Sequence, residues 1–103
     1  MKQTKAYVGI DKDINGGMTD TAKIIRDAWM FGLIPETETC EGWTAQGLER
    51  LWEQVNAAWE PYGFLVSNLP DDRKAAFMRI QDAALDRAKA LGWDPDRDLQ
   101  DET

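Results

Sequence analysis

The sequence predicts a mostly α-helical fold, a compact bundle of about three helices. Three observations carry that expectation. Apolar residues recur at three- and four-residue spacing in three separate stretches. Each stretch begins at a residue suited to a helix N-terminus and ends at glycine or proline. And 103 residues, 43% hydrophobic and 30% charged, suit one ordinary globular core and leave no room for two.

The first helix is expected over 19–31. Thr19 or Asp20 can accept the first free backbone N–H groups, and Ile24, Ile25, Ala28 and Trp29 recur on a helical face. Gly32 stands where a left-handed C-terminal cap belongs, and Pro35 stops the helix from resuming. The second helix is expected over 44–60, capped by Thr44, with Ala45, Leu48, Leu51, Trp52, Val55 and Trp59 on one face and Pro61 and Gly63 after it. The third spans 71–91. Asp71 and Asp72 favour its N-terminus through the macrodipole, Ala76, Phe77, Ile80, Ala83, Ala84, Ala88 and Leu91 form its stripe, and Gly92 ends it.

Two short apolar runs, KAYVGI at 5–10 and FLVS at 64–67, read as strands, and each is the other's obvious partner. A small two-stranded element covered by the helices is therefore expected. The single globular domain is placed at 1–92. The remainder, 93–103, is acidic and has little to bury beyond Trp93 and Leu99, so it reads as a frayed tail.

Composition narrows the function classes. Nineteen acidic side chains against 12 basic ones give a net charge of -7, which repels phosphate backbones, so nucleic acid is not an expected partner. No apolar run is long enough to span a bilayer and the N-terminus lacks a signal-peptide core, which points away from the membrane and toward the cytoplasm. One cysteine and no histidine exclude an internal disulfide, the zinc patterns built from those residues, and any Cys-His nucleophile. Cys40 itself lies between Glu38 and Glu41, a setting that favours the thiol over the thiolate.

One stretch suggests a metal. GIDKDINGGMTD, residues 9–20, begins as a calcium loop does: Asp11, Asp13 and Asn15 alternate, Gly16 follows at the sixth position, Met18 is the apolar eighth and Thr19 the ninth. Position twelve is Ala22, where a bidentate carboxylate belongs, and the incoming segment is strand-like rather than helical. Asp20, or a glutamate from the loop 36–41, could supply the missing oxygen, although nothing in the spacing requires it. The candidate ligands are thus Asp11, Asp13, Asn15, Thr19 and Asp20, with calcium or magnesium as the ion. The competing reading is a turn built by side-chain hydrogen bonds, with Gly16 and Gly17 supplying positive φ. That reading needs no cofactor.

The run YVGID before a glycine-bearing turn is also similar to the first strand of ribonuclease H-like nucleases, where the aspartate, here Asp11, binds catalytic magnesium. The likeness covers 7–17 only. Such folds continue into a second strand of a larger sheet, whereas MTDTAKIIRDAW reads as a helix, so that activity is not carried over.

Five tryptophans are unusual in a chain of this length. Trp29 and Trp52 are expected in the core, where large rings fill space. Trp43 and Trp93 lie at element boundaries, where half-exposed indoles serve interfaces. The acidic loop 33–42 offers Glu36, Glu38 and Glu41 to a basic partner. No catalytic residue is nominated. The expected function is a small non-catalytic interaction or regulatory module that uses exposed aromatics and acidic surface to engage another protein or a second copy of itself. The alternatives are a divalent-cation domain and a carboxylate-based enzyme.

Overall fold

The computed structural model describes residues 6–13 and 18–92. Three α-helices dominate it, α1 (Asp20–Phe31), α2 (Ala45–Trp59) and α3 (Asp71–Ala90), with 3-10 turns at Ile10–Lys12, Glu60–Tyr62 and Val66–Asn68. Each helix lies within a residue or so of its expected span. Trp93, Leu99 and the rest of 93–103 lie outside the described residues.

Helix α1 starts where Thr19 Oγ1 accepts the Ala22 N–H at 3.1 Å. It ends at Gly32, whose φ of 74° lets the Leu33 N–H reach back to the Ala28 carbonyl at 2.9 Å and closes the last turn. This helix is buried on more than one side, with Ala22, Ile25, Ala28 and Met30 all at 2% exposure or less. The other two helices pack on it.

Helix α2 presents Leu51, Val55 and Trp59 to the core, spaced at i, i+4 and i+8. Near its start, Ala45 and Leu48 stand beside Ile24, and at its end Trp59 meets Asp27 and Phe31, so α1 and α2 run in the same direction. A parallel neighbour needs a return connection, and residues 33–44 provide it along the length of α1. Helix α3 runs the other way. Its first turn donates Arg73 Nη1 to the Met30 carbonyl at 2.6 Å, and Gln81 accepts from Arg26 Nε at 3.0 Å. Leu69, Ile80 and the partly buried Phe77 close the core, with Phe77 set edge-on to Trp59.

The expected strand pair does not form, and no strand occurs among the described residues. Residue 5 is outside them; residues 6–9 form no regular element, and their backbone partner is the return connection. The Tyr7 N–H donates to the Trp43 carbonyl at 2.9 Å, the Gly42 N–H to the Tyr7 carbonyl at 2.8 Å, and the Ile10 N–H to the Thr39 carbonyl at 3.0 Å. Residues 64–67 cannot extend, because Gly63 and Phe64 both sit near φ 63° and the chain then tightens into the 3-10 turn at Val66. Phe64 and Leu65 are left more than half exposed.

Candidate functional site

The residues of the suggested calcium loop are drawn into different contacts. Asp13 Oδ2 accepts hydrogen bonds from the Tyr7 hydroxyl and from Thr19 Oγ1, the latter at 2.8 Å. Since Thr19 also accepts the Ala22 N–H, one hydroxyl ties Asp13 to the start of α1. Burial, reinforced by Asp13, raises the Tyr7 pKa well above the ordinary phenol range. Asp11 turns to α3, with Oδ1 3.3 Å from Arg87 Nη1. Asp20 stays exposed in the first turn of α1, and Asn15 lies outside the described residues. Among the described residues no three acidic or cysteine side chains converge as a metal ligand set.

The acidic loop divides as well. Glu36 takes both Arg79 Nη groups, at 3.0 and 2.8 Å, and that pairing holds its pKa below the usual carboxylate range. Glu38 works locally: its Oε2 accepts the Cys40 N–H at 2.9 Å and its carbonyl accepts the Trp29 indole N–H at 2.9 Å. Glu41 is exposed. Cys40 is fully buried in a left-handed conformation, φ 64°, and burial followed by the Glu38 charge pushes its thiol up to about 11. Trp43 is half-buried, with its carbonyl on Tyr7 and its ring beside Gly47.

The most exposed tryptophan among the described residues is one expected in the core. Trp52 is 52% exposed because the buried stripe of α2 is Leu51, Val55 and Trp59, and the next residue points about 100° further round the helix. It joins a second stripe, Ala45, Leu48 and Trp52 at i, i+3 and i+7, which forms a groove of about 550 Å³ with Ile24 of α1. Asp20, Lys23 and Glu49 form the rim. The Lys23 ammonium lies 3.7 Å from the buried Asp27 carboxylate. One signal in the sequence marked this face. Glu49 and Glu53, four apart, flank Trp52 on the same helix, as charges beside a solvent-facing stripe do.

No helix among the described residues is long and apolar enough to cross a membrane. Set against known proteins, the chain matches no family model, no curated protein and no solved structure. The candidate site therefore rests on geometry alone: an apolar groove with a half-exposed indole and a mainly acidic edge.

Proposed function

We propose that this chain is a non-catalytic protein-interaction module and that its partner binds in the groove between α1 and α2. The observation that carries this reading is Trp52, a large ring left half in solvent beside Ile24, Ala45 and Leu48 although its own helix has a buried face to offer. Covering such an indole removes a large apolar area from water, and tryptophan is prominent among residues that dominate binding energy. The rim sets the partner's chemistry. Asp20 and Glu49 border the groove, Glu53 follows on α2, and Lys23 is drawn toward Asp27. A segment with apolar side chains at helical spacing and Lys or Arg beside them complements this edge. A second copy, bringing another -7, fits it less well than a basic protein does.

The test uses two synthetic helix-forming peptides with the same leucine stripe, one flanked by lysine and the other by glutamate, titrated calorimetrically. The lysine peptide binds and the glutamate peptide does not. Trp52→Ala weakens binding at least about tenfold, in line with truncation of a central aromatic anchor, with little change in melting temperature. Binding that is indifferent to Trp52, or to the sign of the flanking charge, overturns the reading.

A further inference from the structure

The connection from α2 to α3, residues 60–70, departs from ordinary protein physics twice at one place. Phe64 takes left-handed backbone at φ 63°, directly after Gly63 at the same angle, although a bulky side chain is strained there. No burial offsets that strain. Phe64 stays 54% exposed and Leu65 55% exposed, two large apolar side chains in succession facing water.

The rest of the connection is firmly held. Tyr62 stacks on Phe31 with ring centroids 6.3 Å apart, Asn68 Nδ2 donates to the Tyr62 carbonyl at 2.9 Å, and Leu69 is buried in the core. Between these anchors the Phe64 N–H donates to the Trp59 carbonyl at 3.4 Å, the Leu65 N–H to the Tyr62 carbonyl at 3.2 Å and the Asn68 N–H to the Leu65 carbonyl at 3.1 Å. The apolar pair is thus carried on a fixed turn. A strained residue that its surroundings hold in place and leave uncovered is the pattern of a preorganised binding contact.

Charge decides the kind of partner. From Glu60 to Asp72 the chain carries three carboxylates, Glu60, Asp71 and Asp72, all exposed, and no cation. Arg73 follows, but its guanidinium is turned onto the Met30 carbonyl at 2.6 Å, and Lys74 beside it is half-buried. A second copy is a poor occupant on two counts. Two half-exposed side chains offer on the order of 200 Å² of apolar surface, well short of the roughly 800 Å² per partner of a stable interface, so turn against turn does not hold. Seated in the α1/α2 groove of another copy, the pair would bring its carboxylates toward Asp20 and Glu49. We propose that Phe64 and Leu65 form a docking knob for a basic protein, entering an apolar pocket that Lys or Arg residues border. The pocket closes round both side chains, and its cations meet Glu60, Asp71 and Asp72. This contact is separate from the α1/α2 groove, and either assignment can fail without the other.

The probe is a disulfide-linked pair of synthetic helices whose cleft is lined by leucine and bordered by lysine, with a glutamate-bordered pair as its counterpart. Each is titrated against the full chain while NMR follows the Phe64 ring, the Leu65 methyls and the Trp52 indole. The lysine probe shifts Phe64 and Leu65 saturably, in the wild type and in Trp52→Ala alike, and the glutamate probe does not. Phe64→Gly is the decisive variant, because relief of strain and loss of contact have opposite signs. Placed in the Trp52→Ala background, so that the groove does not contribute, it raises the melting temperature and weakens the lysine probe at least about tenfold, in line with loss of an aromatic anchor. Leu65→Ser weakens the probe in the same direction, and Glu60→Gln weakens it while flattening its salt dependence. The assignment is overturned if the lysine probe leaves Phe64 and Leu65 unshifted, if Phe64→Gly binds as tightly as its parent, or if the glutamate probe binds equally well.

Discussion

Asp27 is 3% exposed, and its Oδ2 accepts the Trp59 indole N–H at 3.2 Å. Burial raises its pKa above the ordinary carboxyl value, and the indole hydrogen bond and the Lys23 charge only partly oppose that rise. The folded state thus holds the Asp27 proton more tightly than the unfolded chain does. This term adds stability as pH falls through the raised range and removes it as pH rises. Asp27→Asn keeps an oxygen for the indole without the buried charge. Urea unfolding at a series of pH values should show that variant gaining on the wild type as pH climbs through the carboxyl range, then holding a constant advantage. Asp27→Ala should lose about 1–3 kcal/mol, since the Trp59 N–H is left buried without a partner. Phe64 and Cys40 make a second contrast, because both adopt left-handed backbone at φ near 63° but only Cys40 is buried. Relief of that conformation is worth about 1 kcal/mol in favour of glycine. Phe64→Gly, at a 54% exposed side chain, should raise the melting temperature, and Cys40→Gly, which empties a core position, should lower it.

The helices were legible element by element because their signals are local. Thr19, Thr44 and Gly32 each do what their residue type predicts, and the apolar spacing between them sets the spans. The two caps are not equal. Thr44 accepts one N–H, that of Gly47 at 3.1 Å, whereas Thr19 caps α1 and also donates to Asp13. Thr44→Ala should cost about 1 kcal/mol and Thr19→Ala closer to 2 kcal/mol in chemical denaturation, a gap that Thr19→Ser should close. The short runs were not legible. An apolar triplet states that something will be covered, and not by which segment, so KAYVGI found the return connection where FLVS was expected. Gly9 shows how tight that docking is: at φ 95°, an added Cβ would stand 3.0 Å from the Glu41 Cβ. Gly9→Ala should destabilise by about 1–3 kcal/mol through strained backbone and forced separation. The candidate groove was not legible: Ala45, Leu48 and Trp52 read as one face with Leu51, Val55 and Trp59, whereas α2 carries two adjacent stripes, and only the position of α1 decides which of them is covered.

At the scale of the whole molecule, the Cys40 thiol reports on global opening. It has no exposed surface, and its pKa is raised to about 11. Alkylation near neutral pH should therefore proceed only through opened chains, and its rate should track unfolding free energy when denaturant is added. Equal labelling of native and unfolded protein would contradict the packing of the 33–44 connection. That connection bears on kinetics too. An antiparallel helical hairpin assembles between sequence neighbours, but parallel α1 and α2 must wait for a dozen residues to travel back along α1 before Leu48 can meet Ile24 and before Tyr7 finds Trp43. The closing contact between Asp11 and Arg87 joins opposite ends of the chain. Refolding should accordingly fall toward the slow, millisecond end of the range for small helical domains, with Gly9 and Asp11 substitutions changing the unfolding limb of the chevron far more than the folding limb.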